Sequence, residues 1–241
     1  MTMPSFKSGL LTRARAGVPL CPMKVTYYVE VLSSWCHWVE PVWAELKSRY
    51  AGRADFQWRI ALMRTEDYPV SRRQCDWFYR RSGGTVMRSP VKLNSGWFES
   101  SRKGLYVAPN LVAEAGRDFG IFDDTVRLAL SNAALIDGRK VGDMGVAAAV
   151  ASAVSGVPPK RLRARAESAA VRARVDASTA EFHSHRIGQR PAFILEDAIG
   201  DKAVFSGIVR IEPIAATIES MLSDTAAYAA HGAHNGMPPE K

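Results

Sequence analysis

Residues 24–50, KVTYYVEVLSSWCHWVEPVWAELKSRY, change their hydrophobic period in mid-course, and no other stretch constrains the fold as much. Val25, Thr26, Tyr27, Tyr28, Val29 and Val31 form a β-branched and aromatic run of strand length. After Leu32 the apolar residues Val39, Val42, Trp43 and Leu46 recur at helical spacing, and Ser33 and Ser34 stand where an N-cap is needed. The stretch therefore reads as a strand that enters a helix through a polar turn. Such a turn faces the unpaired N–H groups and positive dipole end of the helix, which stabilise a thiolate or other anion seated there. Ser33, Trp35, Cys36 and His37 occupy it. Two readings stay open: the serines only cap a helix over a small buried Cys36, or the turn carries out thiol chemistry. Beside a helix N-terminus, His37 is expected to titrate below the ordinary imidazole value, either as a neutral hydrogen-bonding group or as a plain first-turn residue.

The rest of the chain sorts into blocks. Residues 55–63 alternate Phe56, Trp58, Ile60 and Leu62 and predict a second strand, parallel to the first across a right-handed crossover. From 64 to 185 strand signals vanish. Helices are expected over 67–81, ended by Ser82-Gly83-Gly84, and over 109–117, 122–135, 143–155 and 158–183. The loop between the first two contains Trp97-Phe98, a pair that either covers a site or anchors the loop by burial. Strands return at 192–195 and 202–205 as a hairpin, followed by a closing helix with Ile214, Ile218, Met221 and Leu222 in register. Residues 1–22 read as a flexible lead and 226–241 as a disordered tail.

Two prolines bring a family into view. Pro41 lies inside the first helix, five residues after Cys36, and GQRPAFILED sets Pro191 directly before a strand. With Phe205-Ser206-Gly207 ending the next strand, this order over 24–222 resembles the DsbA-like branch of the thioredoxin superfamily. The resemblance implies an α/β thioredoxin fold from 23–63 and 186–225, with an inserted all-helical subdomain, 64–185, roofing the turn. It also implies a cis proline facing that turn. The departure is informative: redox members carry Cys-x-x-Cys, whereas this chain has Ser33-Ser34-Trp35-Cys36. Lacking the first cysteine, it has no pair of sulfurs in the turn for a dithiol cycle. Kappa-class glutathione transferases and 2-hydroxychromene-2-carboxylate isomerases also have serine there, hydrogen-bonded to the glutathione thiolate.

By that similarity the catalytic pair is Ser33 and Cys36, with glutathione or another low-molecular-weight thiol as cofactor. Ser34, Trp35, His37, Arg190, Pro191, Ser206, Gly207 and Arg210 would line the substrate site. The backbone at Arg190 would dock the thiol compound like an added strand, and its side chain would reach a carboxylate. Glutathione users carry a Gly-x-Asp-Arg-like pattern after the hairpin. Here Gly207-Ile208-Val209-Arg210 keeps the arginine and lacks the acid. Two other readings remain: a monothiol disulfide oxidoreductase using Cys36, and a non-catalytic thiol- or peptide-binding module.

Composition bounds the rest. The chain has 241 residues, 47% hydrophobic and 23% charged, in the range of a soluble globular protein. It contains no apolar run of membrane-spanning length, and its first twenty residues lack the apolar core of a signal peptide. Cys21, Cys36 and Cys75 are odd in number and without metal-like spacing, which predicts free thiols in the cytoplasm and no metal site. A Cys36–Cys75 bond is the alternative, and His231 and His234 read as incidental. The net charge of +8 permits a polyanionic partner, with the basic run 159–174 as its best candidate. That run has no interleaved aromatics and reads as a solvated helix face, so the expected partner is a small-molecule substrate rather than nucleic acid. A homodimer is left open.

Overall fold

The change of period becomes strand β1 (Met23–Val29) and helix α1 (Ser34–Arg49) in a computed structural model that describes residues 23–236. Strand β2 (Asp55–Ile60) pairs parallel with β1, and β3 (Ala192–Asp197) runs antiparallel along its other side. Strand β4 (Lys202–Ser206) pairs antiparallel with β3, giving the order β2-β1-β3-β4. Alternation along β1 divides its side chains between two faces. On one, Tyr27 stacks on Phe193 with ring centres 5.0 Å apart and meets Trp43 of α1 at 5.1 Å. Helix α8 (Ile211–Asn235) closes the same side, where the Tyr50 hydroxyl donates to the Ala215 carbonyl at 3.2 Å. On the other face, Tyr28 packs with Ala192, Ile194 and Phe182, the last from a helix of the middle block.

Between β2 and β3 the described chain is helical. It runs through α2 (Arg72–Tyr79), a π-helical turn (Arg80–Val86), α3 (Ala108–Ala115), α4 (Thr125–Leu135), α5 (Met144–Ser155), α6 (Pro159–Ala166) and α7 (Ala169–Ser184). Every residue of α3 is buried, and α4, α5, α6 and α7 pack around it. Helix α7 also lies against β2 and occupies that strand's outer edge. The Ser178 hydroxyl donates to the Ile60 carbonyl at 2.6 Å, Leu62 N donates to Thr179 Oγ1 at 3.1 Å, and Arg117 donates to the Trp58 carbonyl at 2.6 Å.

Several expectations need correction. The predicted helix over 67–81 begins only at Arg72, after the Ser71 cap, and Ser82-Gly83-Gly84 does not stop it but continues it as the π-helical turn. The basic run is two helices rather than one, because Ser168 caps a fresh start by accepting from Val171 N at 3.3 Å. Four of its five guanidinium groups are paired locally, Arg163 with Glu167, Arg172 with Asp176, Arg165 with Asp118, and Arg174 with both Glu114 and Asp118, and Arg161 lies over the Phe119 ring. The tail expected from residue 226 is helical to Asn235, since the alanines between Thr225 and His231 favour helix more strongly than the following glycine opposes it. By contrast, Cys36 and Cys75 are free thiols as expected, and the alternative bond between them is not formed. The lead at 1–22, Cys21 within it, and residues 237–241 lie outside the described residues. Among the described residues no helix is long and apolar enough to cross a membrane.

A buried ionic knot joins the helical block to α1. Arg127 of α4, 1% exposed, forms a two-pronged pair with Glu40 and donates to Asp124 at 2.6 Å. Glu40 also accepts from the Tyr27 hydroxyl at 3.1 Å, and Asp124 from Trp43 Nε1 at 3.1 Å and from Lys47. Removing the guanidinium leaves Glu40 largely out of water without a cation and Asp124 with Lys47 alone. Arg127→Ala is therefore expected to destabilise the fold by about 3–5 kcal/mol, read as a lower urea midpoint in equilibrium unfolding.

Candidate functional site

Ser33 is the N-cap of α1. Its backbone is extended (φ −73°, ψ 117°), and Oγ accepts from Cys36 N at 3.3 Å. A serine hydroxyl can accept and donate together, so capping leaves its proton available. Ser33 opens onto a groove with two chambers. The outer one, about 460 Å³, runs from the turn to Gly188, Gln189, Arg190 and Gly207. The inner one, about 130 Å³, reaches Cys75, Tyr79 and Trp97. Ser33, Trp35, Met63, Asp67 and Arg81 line both. A larger cavity of about 540 Å³ lies away from the turn, between β2 and α7, and its arginines are already paired with Glu114, Asp118 and Glu181.

The far wall of the outer chamber is shaped by the Arg190–Pro191 peptide bond, which is cis. Gly207 N donates to the Pro191 carbonyl at 2.8 Å, tying the end of β4 to this loop. Gly207 has φ +74°, a conformation that disfavours any larger residue, and a Cβ there would stand 2.5 Å from Gln189 Oε1 and push the end of that side chain aside.

Cys36 lies beneath the turn with 1% of its surface exposed. Burial pushes its thiol up to about 11, against smaller opposing contributions from hydrogen bonds with the Glu30 backbone and the Ser33 side chain. Glu30 is buried completely and gathers three donors: Asn110 Nδ2 at 2.6 Å, Leu32 N at 2.8 Å and the Tyr68 hydroxyl at 2.9 Å. Burial outweighs these bonds and raises its carboxyl above the usual range. In the sequence Glu30 is a lone acid inside the apolar run TYYVEVL, and a carboxylate buried there needs partners.

The other expected site residues divide. Ser34, Trp35, Arg190 and Gly207 join Ser33 along the groove, whereas His37, Pro191, Ser206 and Arg210 are not among its lining. His37 stands edge-on to Trp38, and burial lowers its pKa. Ser206 Oγ donates to the Gln189 carbonyl at 3.1 Å, and Arg210 is the N-cap residue of α8. The Arg190 side chain corrects the expectation most sharply. Its head turns inward, donating from Nε to the Ala61 carbonyl at 2.6 Å and also to the Leu62 and Gly188 carbonyls, over the Phe182 ring. A guanidinium so engaged supports the loop, with three of its five N–H groups committed to backbone carbonyls. Trp97 and Phe98 are buried, with Trp97 Nε1 donating to the Tyr79 hydroxyl at 2.6 Å; they anchor their loop, and Trp97 floors the inner chamber. Residues that sequence reasoning missed come from the helical block and the segment before it: Met63, Asp67, Cys75 and Arg81. No group of three or more His, Cys, Asp or Glu side chains among the described residues is placed to hold a metal ion.

No family model matches the sequence, and no curated protein is similar to it. Solved structures do share its fold. The cytosolic disulfide reductase DsbM from Pseudomonas aeruginosa is 16% identical with a TM-score of 0.65, over 83% of this chain and 98% of that one. DsbA from the same organism is 12% identical with a TM-score of 0.56, over 92% of each chain. The oxidoreductase NmDsbA1 from N. meningitidis is 13% identical with a TM-score of 0.54, over 88% and 87%. At such identities the likeness establishes a DsbA-like thioredoxin fold with its helical insertion.

The burial of both described cysteines has a measurable consequence. Cys36 and Cys75 are each pushed from near 9 up to about 11, so between these values the folded chain holds protons that the unfolded chain has released. The stabilisation is complete below pH 9 and is lost as pH rises towards 11. Urea unfolding is expected to show a falling midpoint across that window, and Cys36→Ala to flatten the fall.

Proposed function

We propose that the protein carries out thiol-dependent chemistry on a small molecule, with the sulfur of a bound low-molecular-weight thiol held at Ser33. One observation carries this reading: Ser33, 6% exposed, lines the groove at the helix tip, whereas Cys36, 1% exposed, lies beneath the turn and outside the lining. With a pKa of about 11, Cys36 is thiolate to only about one part in ten thousand at pH 7, and its sulfur is shielded as well. That disfavours a monothiol cycle on Cys36. Ser33 can instead donate its proton to an external thiolate while the N-terminus of α1 stabilises the charge. The turn would then act as a thiolate-holding site of the glutathione transferase or isomerase kind, and Cys36 would support it structurally.

The outer chamber is large enough for a thiol compound to lie between Ser33 and the loop at Gly188–Arg190, with its second reactant entering from the open side. Two free buried thiols fit a reducing compartment, and the same reading places the protein in the cytoplasm.

Glutathione at about a hundred times its Kd is expected to raise the melting temperature by about 5 °C or more. Ser33→Gly removes the hydroxyl while weakening the helix cap by only a few tenths of a kcal/mol. This variant should keep nearly the wild-type melting temperature without ligand and lose most of the shift. Absence of any shift with glutathione, cysteine or other cellular thiols would overturn the proposal.

A further inference from the structure

The groove is roofed by a segment whose position is fixed from below. Gly83, in the π-helical turn, lies so close to α1 that a Cβ on it would stand 2.5 Å from the Trp38 ring. Trp38 Nε1 donates to Ser82 Oγ at 3.1 Å, and Met87 N donates to the Ser82 carbonyl at 2.9 Å, closing the wide turn. The turn is therefore seated on α1 two residues beyond Cys36. Arg81, immediately before this contact, is carried over the groove and lines both chambers with Ser33.

The Arg81 guanidinium lies 5.0 Å from the Trp77 ring centre and 5.3 Å from that of Phe78. Rings hold the flat face of a guanidinium and leave its N–H edge outward, the edge that grips a carboxylate with two bonds. Among the described residues Arg81 has no ion-pair partner and no hydrogen-bond acceptor, while Asp67, the carboxylate that shares the groove, is engaged by Arg64. Its surroundings lack compensating acids. Residues 72–92 contain six cations, Arg72, Arg73, Arg80, Arg81, Arg88 and Lys92, against the single carboxylate of Asp76.

Building on the assignment of the sulfur to Ser33, we infer that Arg81 receives a carboxylate of the bound thiol compound, so that the site selects acidic thiols over neutral ones. Ser33 and the tip of α1 hold the sulfur, and Arg81 holds the acid. Arg190, with Nε, Nη1 and Nη2 each bonded to a backbone carbonyl, is held to its loop, whereas Arg81, among the described residues, has all its N–H groups free for the task.

Calorimetric titration of the full chain with two probes tests this. Glutathione carries free carboxylates, and its diethyl ester keeps the thiol and the amine with both carboxyls capped. The wild type is expected to prefer glutathione by about tenfold, the size of one charge-assisted contact. Arg81→Gln should abolish that preference by weakening glutathione and leaving the ester unchanged. Arg80→Gln, which removes the neighbouring guanidinium outside the groove lining, should preserve it. Arg81→Gln retaining the full preference, or Arg80→Gln erasing it equally, would overturn the assignment. Equal binding of both probes by the wild type also rejects the role of Arg81 while leaving Ser33 in place. Failure of both probes to bind removes the Ser33 reading and this inference with it.

Discussion

A single carboxyl group holds the two parts of this molecule in register. Glu30 directly follows the first strand, and its oxygens accept from the turn at Leu32, from Tyr68 ahead of the second helix and from Asn110 in the fully enclosed helix α3. No side chain without two acceptor oxygens could hold all three donors at once. The arrangement is asymmetric in energy: burying the acid is unfavourable, yet removing it would strand three buried donors. The groove depends on this, because its floor is strand-and-turn and its roof belongs to the helical block.

The site divides labour between a stiff part and an adaptable one. Ser33 is set by the first turn of a helix whose Trp43 and Val39 are buried in the core, so its hydroxyl has little freedom. Arg81 lies on an exposed wide turn, where the glycine contact with Trp38 fixes the backbone but the side chain rests only on two rings. Wide turns of this kind introduce an extra residue into a helix and often accompany functional sites. Here the extra residue sets the register in which Ser82 and Gly83 meet α1.

The parts of this architecture that were legible in the sequence are those with local causes. The strand-to-helix change at Ser33 and the hairpin after Pro191 each follow from a few neighbouring residues, and the structure has them where expected. The parts that were not legible depend on distant partners. Whether Ser82-Gly83-Gly84 ends a helix or widens it is decided by Trp38, far away along the chain. Arg190 looked free to meet a ligand because the carbonyls it satisfies, Ala61 and Leu62, belong to the chain leaving β2. Arg81 was one arginine among many until folding placed it across from Ser33.

The side chains along the outer margin of β2 settle how this sheet can grow. Ser178, Thr179 and Arg117 already occupy backbone groups that an incoming extended segment would need, so that flank is closed to zippering with another polypeptide. β4 forms the opposite margin, with β3 as its partner in the sheet. Any oligomer or captured peptide that extends this sheet must therefore do so beside the hairpin, on the flank whose end at Gly207 borders the groove.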